Sequence, residues 1–291
     1  MDIGLFVPLG NGNASAEIVR SLGREAENRG FESIWVPEHV VLFDDYESRY
    51  PYAADGRFPG GGDTGLLEPL TALTYLAAVT NRIRLGSGIC LVPQRNPVYT
   101  AKQVVDLDCL SGGRVDFGIG VGWLREEFEA VAVPFARRGA RTDEYLQVMR
   151  SLWTDEVSSF EGEHYTLPAC RMYPKPVQQP HPPIHVGGES AAAMRRAARH
   201  GDGWYSFNRL PDELDGPLER LDAMLAGEGR SRSDVQLTVS PYLNPVDAAA
   251  VEAYRARGVD RLVVLCLAFD VDGLRTQLDH LVSTVLEPAV A

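Results

Sequence analysis

From one end of this chain to the other, short β-branched or apolar runs alternate with longer segments of helical period, and that alternation constrains the fold more than any single motif. Eight runs read as strands: 2–8 (DIGLFVP), 33–36 (SIWV), 82–89 (RIRLGSGI), 115–121 (VDFGIGV), 183–187 (PIHVG), 203–207 (GWYSF), 236–240 (QLTVS) and 261–267 (RLVVLCL). Helical segments follow them, opening at Ser15, Glu68, Asn96, Arg141, Glu189, Pro211, Val246 and Asp270. In the first, Ile18, Val19, Leu22 and Ala26 share a face and Gly30 marks the stop; in the third, Asn96 caps and Pro97 takes the first helical position. Strand-then-helix eight times over predicts an α/β fold of the (β/α)8 TIM-barrel type, a single domain over 1–291. A doubly wound sheet would need a second domain, and no shift in composition marks one.

Two segments are longer than ordinary barrel loops. Residues 40–66, rich in tyrosine, glycine and acid, follow strand two and would stand over the C-terminal mouth as a lid. Residues 154–182 form an insertion before strand five.

Composition limits the partners. A formal charge of -12 argues against a nucleic-acid binder, which needs a basic stripe, and favours a small-molecule substrate. No apolar run approaches the roughly 20 residues of a membrane span. Residues 1–9 read as a first strand rather than a leader, so a cytoplasmic location is expected. Cysteines 90, 109, 170 and 266 are scattered without metal-ligand spacing, so free thiols and no metal are expected. No G-x-S-x-G, P-loop or H-E-x-x-H is present, which removes the common serine hydrolase, nucleotidase and zinc-protease readings. Glu38, Glu68 and Glu126 fall near strand ends and leave a two-carboxylate glycosidase as an alternative.

Four stretches could carry chemistry. Glu38 and His39 end strand two, where a barrel opens its active site; the histidine could move a proton or only plug the mouth. GSGIC, 86–90, puts two glycines and a serine into an aliphatic strand, the mark of a bulge or a close approach. In GIGVGW, 118–123, alternating glycines make room for something bulky beside Trp123, or simply pack the strand against a helix. HVGGES, 185–190, runs glycines into a helix start, an anion site or a tight turn.

The runs TNRIRLGSGICLVPQRNPVYTAKQVVDLDCLSGGRVDFGIGVGWLREEF, 80–128, and PKPVQQPHPPIHVGGESAAAMRRAARHGDGW, 174–204, resemble the luciferase-like oxidoreductases, a family of flavin- and deazaflavin-dependent barrels. The resemblance implies a cofactor across the barrel mouth, supported by a non-proline cis peptide at Gly88–Ile89. It implies a phosphate held by the amides of Gly187, Gly188 and Glu189, and contacts from Gly122 and Trp123. His39 matches a position that contacts the reactive part of the cofactor in the deazaflavin-dependent dehydrogenases. Phe43 stands where one sugar-phosphate dehydrogenase of that branch has tryptophan, and Trp123 where it has a catalytic glutamate, so that substrate is not implied here.

The motif style points to coenzyme F-420, with FMN as the alternative. The expected function is hydride transfer between F-420 and a small organic substrate, with His39 and Glu38 catalytic and Phe43, Tyr50 and Tyr52 enclosing the substrate. An FMN-dependent monooxygenase fed by a separate reductase is the alternative, and a non-catalytic flavin-binding barrel ranks below it. The resemblance also implies a homodimer.

Overall fold

The computed structural model describes residues 1–290. Its main sheet closes on itself. The parallel strands are β1 (Asp2–Phe6), β2 (Ser33–Val36), β3 (Arg84–Ser87), β4 (Cys90–Leu91), β5 (Val115–Gly120), β8 (Ile184–Gly187), β9 (Gly203–Phe207), β10 (Gln236–Tyr242) and β11 (Arg261–Leu265). Their order is β3-β2-β1-β11-β10-β9-β8-β5-β4, and a further β3–β5 pairing completes the ring. Since β3 and β4 are two halves of one stave, this is an eight-stave (β/α)8 barrel, as the sequence pattern predicts.

Local chemistry sets the elements. Ser15 caps α1 (Ala16–Arg29) by accepting from Ile18 N at 3.2 Å, and Gly30 ends it in the left-handed region at φ 88°. Asn96 caps α3 (Pro97–Ser111) through Val98 N and Tyr99 N, a contribution of about 1 kcal/mol. Glu68 caps α2 (Pro69–Val79) in the same way through Leu70 N and Thr71 N.

Three readings of the chain need correction. The run 82–89 is not one strand: it breaks after Ser87 at a cis Gly88–Ile89 peptide and resumes at Cys90. The insertion 154–182 is not loop throughout, because β6 (Ser158–Glu161) and β7 (Thr166–Cys170) pair antiparallel in a hairpin. The helix expected from Arg141 is α5 (Arg138–Thr154), and a short helix, α4 (Arg125–Ala130), precedes it. Its six residues are too few to show a clear period in the sequence.

The barrel interior is layered. At the N-terminal floor Asp116, fully buried, takes Arg84 at 2.8 Å, His185 Nε2 at 3.3 Å and Arg261 at 3.4 Å. Above it Trp35 packs on His185 (5.4 Å between centroids) and Tyr205 (5.1 Å). This layer explains the strand glycines. A Cβ at Gly86 would fall 2.4 Å from the Trp35 ring, one at Gly118 would fall 1.9 Å from the Ser87 carbonyl oxygen, and one at Gly120 would fall 1.8 Å from Ile89. The GIGVGW glycines thus make room for the protein's own groups: the Ser87 backbone and Trp35 at Gly118, Ile89 at Gly120 and Phe128 at Gly122.

Candidate active site

A cavity of about 930 Å³ opens at the C-terminal end of the barrel, the end where catalytic loops gather in this architecture. His39, Glu38, Gly88, Ile89, Gly122, Trp123, Gly187, Gly188, Glu189, Tyr50 and Tyr52 all line it. Phe43 does not; it is half-buried elsewhere in the 40–66 segment.

His39 is held by a residue the sequence reading missed. Its Nδ1 lies 3.2 Å from Glu127 Oε2. The Glu127 side chain is fully buried and also accepts from Val40 N (2.7 Å) and Gln94 Nε2 (2.9 Å). A carboxylate at Nδ1 keeps the proton on that nitrogen and leaves Nε2 for the cavity. The ring sits edge-on to Phe58 and Trp123, at 5.2 and 5.8 Å. Within LREEF the two glutamates look equivalent, but α4 turns them to different faces: Glu126 accepts from Glu47 N, Ser48 N and Ser48 Oγ and so pins the 40–66 segment.

Glu38 does something else. Its carboxylate accepts from Leu91 N and from Arg95, whose Nε is 2.9 Å away, and Arg95 also reaches Glu68. Glu38 thereby ties the restart of the split stave to α2 and does not touch His39. With Glu38 and Glu68 on Arg95 and Glu126 on the 40–66 segment, none of the three carboxylates considered for glycoside cleavage is free to act in the cavity.

The strand-five side carries the glycine turn. Gly187 packs its open face on Ile89, and Gly188, at φ 113°, accepts from Trp204 Nε1 at 3.0 Å. Ser190 then caps α6 (Ala191–His200) by accepting from Ala193 N at 3.1 Å, and Ser190 and Ala193 bring the start of that helix to the cavity wall. Arg138, from α5, lines the same region, with Nε on the Gly122 carbonyl at 2.9 Å. The Glu189 side chain turns away from this turn, toward β9, and accepts from Ser206 Oγ and Phe207 N, with Arg209 at 3.6 Å. Burial pushes its carboxyl up, against the lowering effect of those donors and Arg209. Its Oε2 is buried without a hydrogen-bond partner.

Next to it, from the end of β9 onward, stands an aromatic wall that the sequence did not announce. Phe207 and Tyr242 lie 4.7 Å apart, Phe6 is 5.5 Å from Phe207, and Tyr52 of the 40–66 segment lies 5.0 Å from Phe207. Period-two alternation of these strands could have flagged them, but it does not say which end of the barrel they reach.

Residues 1–270 match the family of luciferase-like monooxygenases. The chain belongs to that family. Among curated relatives, this luciferase-like chain is 31% identical over 225 residues to the F420-dependent glucose-6-phosphate dehydrogenase of Kineococcus radiotolerans, spanning 76% of this chain and 61% of the relative. It is 30% identical over 227 residues to the FMNH(2)-dependent dimethylsulfone monooxygenase of Pseudomonas putida, spanning 77% of this chain and 57% of that one. A solved F420-dependent secondary alcohol dehydrogenase, in complex with an F420-acetone adduct, superimposes with a TM-score of 0.78 at 18% identity over 100% of this chain and 99% of its own. At that identity the likeness speaks to the fold.

A tricyclic, phosphate-bearing cofactor of the luciferase-like family fits the residues present. The cavity has room for it with a small substrate, Arg138 and the start of α6 both line it, and Gly122 and Gly188, both at positive φ, let the backbone come close. Family members using F420 and members using FMN are both among the relatives. Among the described residues no cluster of three or more His, Cys, Asp or Glu could hold a metal ion, and no helix is long and apolar enough to cross a membrane.

Proposed function

We propose that this chain is an oxidoreductase that moves a hydride between the deazaflavin coenzyme F-420 and a small organic substrate, with His39 handling the accompanying proton. The observation that carries the reading is the buried His39–Glu127 pair at the cavity wall. Fixing Nδ1 makes Nε2 the proton donor or acceptor for a substrate beside the ring, as two-electron chemistry at a carbonyl or alcohol requires. When bound, the deazaflavin supplies a ring carbon that accepts or releases the hydride.

The chain's own residues do the rest. Gly88 and Ile89 would support a bound ring, with Gly122 and Trp123 lining the same cavity. The phosphate would be held at the Gly187–Gly188–Glu189 turn and the α6 start, with Arg138 lining the same cavity; Gly188 N itself already donates to the Tyr205 carbonyl at 3.4 Å, which leaves the amide of Glu189 as the donor of that turn. Tyr50 and Tyr52 close over the substrate from the 40–66 lid, which keeps water out. Phe43 has no part in the pocket, and Glu38 acts as a positioning residue through Leu91 and Arg95. The protein works as a cytoplasmic homodimer.

Titrating the apoprotein with F-420 and with FMN, followed by fluorescence, tests the cofactor. Tight FMN binding with none of the deazaflavin overturns the reading in favour of an FMN-dependent monooxygenase with a separate reductase, which the Pseudomonas relative favours. His39→Ala should keep cofactor affinity while turnover falls by about 10²- to 10⁴-fold. Glu127→Gln should cost less and move the pH profile of turnover, because the carboxylate acts through His39.

A further inference from the structure

The cavity has two unlike halves, and the one built by β1, β9, β10 and β11 continues into the surface. Buried Phe6 and half-buried Phe207 and Tyr242 form its wall, with ring centroids 4.7 to 6.0 Å apart. Beyond them Leu243, Leu267 and Phe269 line the same cavity yet are 61%, 38% and 65% exposed. A single exposed apolar side chain is ordinary, but three that line one cavity together with an aromatic wall make its outer rim apolar, and apolar surface gathered at one place marks a binding site.

Most charged groups lining the cavity are held by the protein or stand at its rim. Arg138 donates to the Gly122 carbonyl and lies over Phe135, and Arg209 stands against Glu189 at 3.6 Å. Glu38 is held by Arg95 and His39 by Glu127. Arg49 and Asp63, of opposite sign, are exposed on the 40–66 segment. Arg209, just after β9, already faces the Glu189 carboxylate at 3.6 Å, so an anionic substrate in this half would lose water and have to share that arginine with a carboxylate. Hydrogen-bonding capacity lies at the inner end: Tyr50 is one ring away from His39, both packing on Phe58 and on Trp123.

We infer that this half is a substrate compartment for an uncharged molecule with an extended apolar body and one carbonyl or hydroxyl, its polar group set inward toward His39 and Tyr50 and its far end passing out over Leu243, Leu267 and Phe269. The inference rests on the oxidoreductase reading for what happens to the polar group, but the binding can be measured separately.

The test is a series of straight-chain 2-alkanones from butanone to 2-decanone, with matched carboxylates and glucose 6-phosphate, bound to the protein with and without its cofactor. Affinity for the ketones should rise about fourfold per methylene while the chain is being buried. The carboxylates and the sugar phosphate should bind at least tenfold more weakly than the ketone of equal length. Leu267→Glu and Phe269→Glu, at exposed positions that folding does not require to be apolar, should weaken 2-decanone about tenfold more than butanone. A series flat in chain length, or tighter binding of the anions, overturns the compartment. Failure of both F-420 and FMN to bind, with the ketone series intact, would overturn the oxidoreductase reading and leave the compartment standing.

Discussion

The two halves of the barrel mouth are built on opposite principles. Around β4, β5 and β8 the chain uses glycine, so that backbone and the Ile89 and Trp35 side chains approach within distances no Cβ would allow. Around β1, β9 and β10 it uses phenylalanine and tyrosine, whose rings meet edge to face or tilted. The first half is rigid in what it tolerates, since a single methyl group collides with backbone. The second half is a surface of side chains, where a change of shape can be absorbed by repacking. One half is therefore suited to holding an invariant cofactor and the other to adapting to a substrate.

The largest expected effect lies in the floor both halves share. Burial alone would raise the Asp116 carboxyl, but Arg261, the His185 hydrogen bond and Arg84 outweigh it and hold it well below the usual carboxylate range. Asp116→Asn should cost about 3–5 kcal/mol at neutral pH, because two arginines lose their buried counter-charge. A depressed folded pKa gives stability that is present above the unfolded value and lost as pH falls through the folded one. The gap between Asp116→Asn and the parent should therefore narrow as denaturation is followed from pH 4 downward, and a constant gap would show that charge is not what Asp116 supplies.

Next comes Gly118→Ala, whose methyl would meet the Ser87 carbonyl oxygen; a loss of about 1–3 kcal/mol in urea unfolding is expected, with weaker cofactor binding. In the aromatic half, Phe207→Leu should cost under about 1.5 kcal/mol and change substrate affinity more than cofactor affinity. If the two variants proved equally costly, or if Phe207→Leu weakened cofactor binding more, the contrast between the halves would fail.

The smallest effect concerns Glu189, which sits between the halves. Its folded carboxyl is raised by burial, so the parent loses stability as pH rises above the unfolded carboxylate value toward the folded one. Glu189→Gln lacks this loss, so its melting temperature should gain on the parent as pH goes from 4 to 7. The reverse trend would mean that Arg209 and the two donors outweigh burial.

Much of this was legible beforehand, and the particular residues show why. The barrel could be read because each stave and helix carries its own period, cap and stop, as Ser15, Asn96 and Gly30 do. His39 could be read because it follows a strand end. Glu127 could not: it lies 88 residues from His39, and nothing in the Glu126–Glu127 pair says which one turns inward. Glu38, expected to be catalytic with His39, instead serves Arg95 and Leu91, since adjacency along an extended chain points side chains apart.

By itself, then, the sequence determined the alternating α/β order, the number of staves and the glycine turn before α6, since each is encoded within a few consecutive residues. Only the tertiary structure decided that Glu127 orients His39, that Glu38 serves Arg95 and the split stave, and that Phe6, Phe207 and Tyr242 form one wall. Those are contacts between residues far apart in the chain, and they come into being only when the closing of the ring brings the ends of its strands to one mouth.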